Sequence, residues 1–380
     1  MTNKTYQVCQ KTVMDTSDPV IYFDNDGVSN YYWDYENNIK SKWQRTEDGY
    51  NRLSKIVTVM KQAGKGKDFD CIIGLSGGTD SSYLLHKMVT EFGVRPLVFH
   101  VDGGWNTEVA VSNINNIVDR LNLDLVTEVI NWEEMRDFQL AMFKSGVPHI
   151  DIPQDMAFIG VLYKYAEKHG IKYILNGGNI STECVTSPVD LMYWGTDLVQ
   201  VRDILNKFGT VPMKEYPFSS VFYHKIFLKY IRGVSVIKPL NFINYIKVNA
   251  ISELVNIYGW KPYPQKHFES RFTRFFEGHW LINRFGYDMR RAQLSSLILT
   301  GQMNRDEALE ILKHPALEDC VVEAELGFVA SKLGITREEL NFYYKMEKKS
   351  YKDYKNQKLL FDVGEKILSF FTGTRRGGAF

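Results

Sequence analysis

Cysteine is scarce in this chain: Cys9, Cys71, Cys184 and Cys320 are the four among 380 residues, at irregular spacing. So sparse a set excludes a disulfide framework and fits a reducing, cytoplasmic setting. An excess of one charge is also lacking, since 46 Lys and Arg face 45 Asp and Glu for a net charge of +1. That is not the basic field of a tRNA or DNA binder, so no nucleic-acid partner is expected. No run of about 18 apolar residues occurs, so no membrane insertion is expected. The polar start Met1-Thr2-Asn3-Lys4-Thr5-Tyr6 has no apolar stretch behind it, which argues against a signal peptide. No internal repeat is found.

What is present reads as an ordinary globular protein, 44% hydrophobic and 24% charged. The length exceeds one ordinary core and suggests two domains with a small appendage. The aromatic content is somewhat high at 14%, from filled cores or from a sugar or nucleotide surface. Residues 1–60 read as the appendage. It holds a short strand candidate, Val20-Ile21-Tyr22-Phe23, and a turn, Asp24-Asn25-Asp26-Gly27. Gly64-Lys65-Gly66-Lys67 reads as a linker. Residues 61–240 alternate between strands and helices. Cys71–Leu75, Pro96–Val101, Leu123–Ile130, Ile171–Leu175 and Val234–Ile237 read as strands. Thr79–Phe92, Asn106–Leu121 and Gln154–His169 read as helices. The alternation predicts an α/β fold with a doubly wound parallel sheet, with ligands beyond the carboxyl ends of its strands. Residues 241–380 read as a helical C-terminal domain with helices at Ala250–Tyr258, His267–Asn283, Arg291–Leu299, Arg305–Leu312, Glu318–Leu333 and Arg337–Tyr351. The tail Thr372–Gly378 reads as mobile.

The chemistry is expected between the first strand and its helix, at Leu75-Ser76-Gly77-Gly78-Thr79-Asp80-Ser81-Ser82. Two glycines let backbone N–H groups turn toward an anion, and the helix adds its positive N-terminus. Ser76 and Ser81 can donate to phosphate oxygens. A bare phosphate would repel Asp80, so its presence implies Mg²⁺ between carboxylate and phosphate. The loop lacks the Gly-Lys-Ser/Thr of a γ-phosphoryl-transfer loop. It resembles the signature of the ATP pyrophosphatase (PP-loop) superfamily, an adenine nucleotide alpha-hydrolase-like fold. That resemblance implies that ATP is bound by Ser76, Gly77, Gly78, Thr79, Asp80, Ser81 and Ser82. It also implies that the end of the second strand, His100-Val101-Asp102-Gly103-Gly104-Trp105-Asn106, lies along the adenosine. Asp102 could accept from a ribose hydroxyl there; the alternative is a plain turn with a capped helix. Past the fourth strand comes Asn176-Gly177-Gly178-Asn179-Ile180-Ser181-Thr182-Glu183. Gly177 would approach ATP, and Asn179 and Glu183 could hold substrate, metal or nucleophile; the alternative for each is a loop cap. Asp155, where the helix preceding that strand opens, is either a helix cap or a substrate ligand.

Longer stretches carry a second resemblance: Val13-Met14-Asp15-Thr16-Ser17-Asp18-Pro19, Asp102–Asn106, Pro153-Gln154-Asp155, Gly177–Glu183, and His267-Phe268-Glu269-Ser270-Arg271-Phe272-Thr273-Arg274-Phe275-Phe276-Glu277-Gly278. Over nearly its whole length the chain resembles the N-acetyl sugar amidotransferases of bacterial surface-polysaccharide (LPS O-antigen) synthesis, the WbpG type. The resemblance implies an enzyme that converts the acetamido group of a UDP-N-acetyl sugar into an acetamidino group, with ATP, Mg²⁺ and ammonia. A diacetamido uronate is one candidate sugar. It also implies a separate glutaminase subunit that supplies the ammonia. The order of events suits the residues, because adenylating an amide oxygen turns it into a leaving group that ammonia can displace. Helical spacing would put His267, Arg271 and Arg274 on one face. With Arg290 and Arg291 they could meet a diphosphate; the alternative is salt bridging to Glu269, Glu277 and Asp288. Relatives often carry two Cys-x-x-Cys pairs, a zinc pattern. Here those positions read Cys9, Thr12, Ser29 and Tyr32, so no zinc is expected, and hydrogen bonds and tyrosine packing should hold the appendage. No cysteine has the setting of a glutaminase nucleophile: Cys71 lies in a buried strand, and Glu183 beside Cys184 would disfavour a thiolate. Two other readings are a tRNA-modifying PP-loop enzyme and a non-catalytic ATP-binding subunit of a complex.

Overall fold

The computed structural model describes residues 5–221, 223 and 229–372. Five strands form one parallel sheet in the order β3-β2-β1-β4-β5. They are β1 (Cys71–Gly74), β2 (Pro96–Asp102), β3 (Leu125–Val129), β4 (Tyr173–Leu175) and β5 (Ser235–Ile237). The chain runs outward from β1 through β2 to β3 and then restarts beside β1 at β4. The order therefore reverses between β1 and β4, the position where such sheets bind ligands. The register sets Ile73 opposite Val98 on one side and Leu175 on the other.

Helices cover both faces, as the sequence pattern predicts for a doubly wound sheet. Successive residues of β1 point to opposite sides. Ile72 joins one apolar cluster with α5 (Trp132–Ser145) and α6 (Ile152–Lys168). Cys71 and Ile73 join the other, with α2 (Glu47–Ala63), α3 (Thr79–Thr90), α4 (Glu108–Leu121) and α9 (Lys247–Tyr258). Two of these packing partners come from outside 61–240: Leu53, Val57 and Met60 of α2, and Leu254 of α9, share the core with the strands. The first cluster runs on without a break into α10 (Arg271–Phe275), α13 (Asp319–Leu333) and α14 (Arg337–Lys345), through Phe272, Val329 and Leu340. The remaining α-helices among the described residues are α1 (Asn30–Asp34), α7 (Ile180–Glu183), α8 (Leu198–Phe208), α11 (Arg290–Leu299), α12 (Arg305–Lys313) and α15 (Lys358–Thr372). No helix among the described residues is long and apolar enough to cross a membrane.

Several local expectations change. Residues 20–23 form no strand, only a single bridge from Phe23 to Ser29. The supposed linker is a turn fixed by Arg95, whose guanidinium donates to Gly64 O and Lys67 O. The helix expected over His267–Asn283 starts at Arg271, because Ser270 caps it by accepting from Thr273 N, and continues as a π-helix over Phe276–Phe285. His267 lies ahead of it with φ of 66°, so it is not on the helix with Arg271 and Arg274. The tail 373–378 lies outside the described residues.

In the appendage, Cys9, Thr12 and Ser29 are all fully buried. The Ser29 N–H donates to Cys9 Sγ at 3.2 Å and the Lys11 N–H at 3.4 Å. Tyr32 instead turns its ring edge-on to Trp33. Tyr31 and Tyr35 pack with Ile180 and Ala292, and Arg291 pairs with Asp15 at 3.0 Å. The Arg305 guanidinium donates to Cys9 O and Thr12 O, which ties the appendage to α12.

Candidate active site

The loop leaves β1 at Leu75 and turns at Ser76-Gly77-Gly78 into the N-terminus of α3. Gly77 has φ of 81°, and a Cβ there would lie 2.7 Å from Ala110 O. A Cβ on Gly78 would lie 2.6 Å from Glu269 Oε1. Gly77 therefore needs glycine, for backbone conformation and for close approach to the α4 backbone, while a side chain at 78 would push the Glu269 carboxylate aside. The hydroxyls of Ser76 and Ser81 lie 3.1 Å apart, and Ser76 Oγ donates to Glu269 Oε1 at 3.3 Å.

One cavity joins Ser76, Gly78, Thr79, Asp80 and Ser81 to Gly177 and Glu183 across the β1–β4 switch point. A Cβ on Gly177 would stand 3.2 Å from Ser81 N, so β4 closes on the loop as tightly as glycine allows. Within the cavity Lys266 Nζ lies 2.9 Å from Asp80 Oδ2, 2.6 Å from Glu183 Oε1 and 3.1 Å from Thr182 Oγ1. The other Asp80 oxygen accepts from Tyr245 OH. Burial is the largest influence on Asp80 and opposes its charge, but Lys266, the Tyr245 hydroxyl and Lys247 together outweigh it and hold the carboxyl below its ordinary range. Burial likewise opposes the charge on Lys266, and Asp80 and Glu183 together raise its pKa. Lys247, also in this cavity, has no ion pair or side-chain hydrogen bond among the described residues, and burial lowers its pKa.

Other expected site residues divide. His267 lines the cavity, and its Nδ1 bonds Glu277 Oε1 at 2.8 Å. Burial works against its charge, but Glu277 raises the imidazole to about 9. Asn179 does not face the cavity: it is fully buried, accepts from Thr182 N at 2.9 Å and donates to Gly177 O, so it is the cap of α7. Ser82 is fully buried beneath the loop, with no hydrogen-bond partner for its hydroxyl among the described residues. Arg271 and Arg274 both bind Glu325, and neither lines the cavity. Their partner is none of the acids expected from sequence, although His267–Glu277 and Arg290–Asp288 are among the pairings expected. Asp155 is not the cap of α6, which is Asp151; its carboxylate lies 3.5 Å from His149 Nε2. Asp102 lines a different cavity, with Gly104, Trp132 and Lys332. The sequence reading missed Lys247, Lys266 and Tyr245. Lys266 adjoins the His267–Gly278 stretch, which was a signal; Lys247 and Tyr245 had none.

Two carboxylates and a hydroxyl that converge on one ammonium form an oxygen donor set that also suits Mg²⁺. The parallel sheet, its switch point and this loop define an α/β protein with a cavity where a strand-to-helix glycine loop meets the neighbouring strand. More particularly, residues 269–368 match the model of the LPS biosynthesis protein WbpG-like C-terminal domain. No curated protein matches. Among solved structures, the chain is similar to an NH3-dependent NAD synthetase from Campylobacter jejuni subsp. jejuni NCTC 11168, in complex with the nitrate ion, at 13% identity and TM-score 0.29, over 79% of this chain and 98% of that one. It is also similar to an NMN synthetase from Francisella tularensis at 14% identity and TM-score 0.31, over 79% and 98%. A NAD+ synthetase from Burkholderia pseudomallei matches at 14% identity and TM-score 0.27, over 58% and 96%.

Proposed function

We propose that this protein is an ATP-dependent, AMP-forming amidotransferase acting on a UDP-linked N-acetyl sugar in LPS O-antigen synthesis. The observation that carries the reading is the charge arrangement around the loop. Asp80 and Glu183 share Lys266 by direct contact, while Lys247 faces the same cavity and feels both carboxylates without pairing directly with either. A carboxylate pair with a second lysine left free of direct contact, at a helix N-terminus, suits a metal-bound polyphosphate.

In this reading the acetamido oxygen attacks the α-phosphorus of ATP. The bond to the bridging oxygen breaks, and pyrophosphate leaves. Ammonia then adds to the activated carbon, the carbon–oxygen bond breaks, AMP leaves, and the amidine remains. The chain's task is positional and electrostatic. The Gly78 and Thr79 N–H groups and the start of α3 hold the pyrophosphate, with Ser76 and Ser81 donating to it. Lys247 and Lys266 take up its charge. Asp80 and Glu183 would hold Mg²⁺, which offsets phosphate charge when bound. A glutaminase partner supplies the ammonia. The test is product analysis with ATP, ammonium and a panel of UDP-acetamido sugars. AMP, pyrophosphate and a sugar lighter by about one mass unit are expected, since oxygen is exchanged for NH. ADP and phosphate as products would overturn the reading.

A further inference from the structure

The cavity lined by Asp102 is separate from the loop cavity and plays no part in the mechanism above. It has a volume of about 380 Å³ at the carboxyl ends of β2 and β3, within the range of roughly 300–1,000 Å³ usual for small-molecule sites. Its walls are Asp102, Gly104, Val129, Ile130, Trp132 and Lys332.

Three features point to a ligand. First, Lys332 Nζ has no ion pair or hydrogen bond among the described residues. It rests over rings instead, 5.0 Å from Trp132, 5.3 Å from Trp105 and 5.7 Å from Phe328. Second, Asp102 accepts through Oδ1 alone, from Gly104 N at 2.8 Å and Asn106 Nδ2 at 3.1 Å. Its Oδ2 accepts no hydrogen bond from the described residues. Third, the Trp132 ring is half-buried and held against the turn. Gly104 has φ of 83°, and a Cβ there would meet the indole at 3.0 Å and Lys332 Cε at 3.6 Å. Glycine at 104 is what lets the indole and the ammonium come together over the turn. Behind them Trp105 is fixed by its Nε1, which donates to Gln139 Oε1 at 3.0 Å. The site thus offers an aromatic face, an ammonium and a carboxylate oxygen, the two charges close enough to attract each other yet neither in direct contact with a partner. These match the three parts of a nucleotide: a base to stack, a phosphate to pair, a ribose diol to donate.

The cavity also lies within reach of the loop. Only β2 stands between it and β1, and neighbouring strands are about 4.8 Å apart. The wall they share is stitched by Thr107 N to Glu269 O at 2.9 Å and Arg271 N to Trp105 O at 2.8 Å, and Glu269 itself lines the loop cavity.

We infer that this cavity seats the nucleoside diphosphate half of the sugar-nucleotide substrate, with the base on Trp132, phosphate on Lys332 and ribose on Asp102. The inference rests on the function proposed above and gives its acceptor a place distinct from ATP, so that Asp102, which the sequence resemblance would set along the adenosine, meets the acceptor's ribose instead. The test is binding of UDP to the full chain, followed by calorimetry and by tryptophan fluorescence. UDP should quench the wild-type signal, and Trp132→Phe should remove the UDP-dependent part. Lys332→Gln, which keeps the packing of the stem, should weaken UDP about tenfold, the usual scale for losing one charge-assisted contact. ATP affinity, measured in the same variants, should not change. UDP affinity unchanged in both variants would overturn the inference, as would ATP displacing UDP from Trp132, which would make this the adenosine site. Failure of the underlying function is read separately. If wild type binds UDP here yet forms no AMP with any sugar, the site stands and the proposed reaction falls.

Discussion

Lys266 Nζ lies 2.9 Å from Asp80 Oδ2, and the same ammonium reaches Glu183 at 2.6 Å. A single lysine therefore keeps two facing carboxylates from repelling each other. Lys266→Met should lower the Tm, because it leaves like charges together in a half-closed cavity. Millimolar Mg²⁺ should then raise the Tm of the variant more than that of wild type, since the metal no longer competes with an ammonium. Thermal scans with and without Mg²⁺ check this. Equal shifts would mean that Asp80 and Glu183 are not the metal's ligands.

Asp80→Ala should cost at least about 100-fold in AMP formation, the usual scale for one electrostatic stabiliser in an active site. Ser82→Ala should cost little, because that hydroxyl is buried away from the cavity. Steady-state rates of pyrophosphate release separate the two. A comparable loss in Ser82→Ala would mean that the loop reorders on binding ATP.

The sheet was legible in the sequence because its strands are short apolar runs followed by helices with one apolar face. The loop was legible because Ser-Gly-Gly at a strand end has few other uses. Helix α5 went unread although Asn131 caps it, by accepting from Glu133 N and Glu134 N, and Gly146 ends it with φ of 73°. The partners of the site charges were harder. Glu325 lies 54 residues from Arg271, and Lys266 lies 186 residues from Asp80. Local spacing says nothing about pairs that only tertiary packing creates. Asn179 and Asp155 show the converse, since a polar residue at a helix start reads alike whether it caps or binds.

The His267–Glu277 pair should make stability fall with rising pH. The folded imidazole titrates at about 9, against an ordinary value of 6.5. A raised folded pKa gives stability that is fully present below pH 6.5 and is lost as pH rises to about 9. Glu277→Gln should flatten the urea-unfolding free energy over that window and return the His267 titration, followed by NMR, to 6.5 or below. A slope unchanged in Glu277→Gln would refute the assignment.

Glu325 is 2% exposed and receives both Arg271 and Arg274, whose side chains are 28% and 25% exposed. Removing it strands two guanidiniums against one apolar wall. Glu325→Gln should destabilise by about 3 kcal/mol, the lower end for breaking a buried pair because the arginines keep some solvent. Urea titration measures it. A loss below about 0.5 kcal/mol, the scale of an exposed pair, would mean that the arginines find other anions.

The last expectation is that the chain cannot generate ammonia from glutamine. A glutaminase needs an accessible thiolate with a base beside it. Cys71 and Cys184 are buried, and burial, not the neighbouring Glu183, is the largest influence on the Cys184 thiol, which it pushes up to about 12. Burial raises Cys71 further still. Cys9 differs. Burial pushes its thiol up, but hydrogen bonds from Ser29 and Thr12 outweigh this and lower its pKa. The sulfur is nonetheless fully buried, so no glutamine can reach it. Cys320 is exposed, yet its thiol donates to Glu318, and no histidine bonds it among the described residues. Purified chain should therefore turn over with ammonium salts and remain nearly inactive with glutamine until a glutaminase is added. Amidine formation followed by mass spectrometry, with each nitrogen source in turn, is the measurement. Brisk glutamine-dependent turnover by the chain alone, abolished by a single Cys→Ala substitution, would show that one of these thiols is a nucleophile after all.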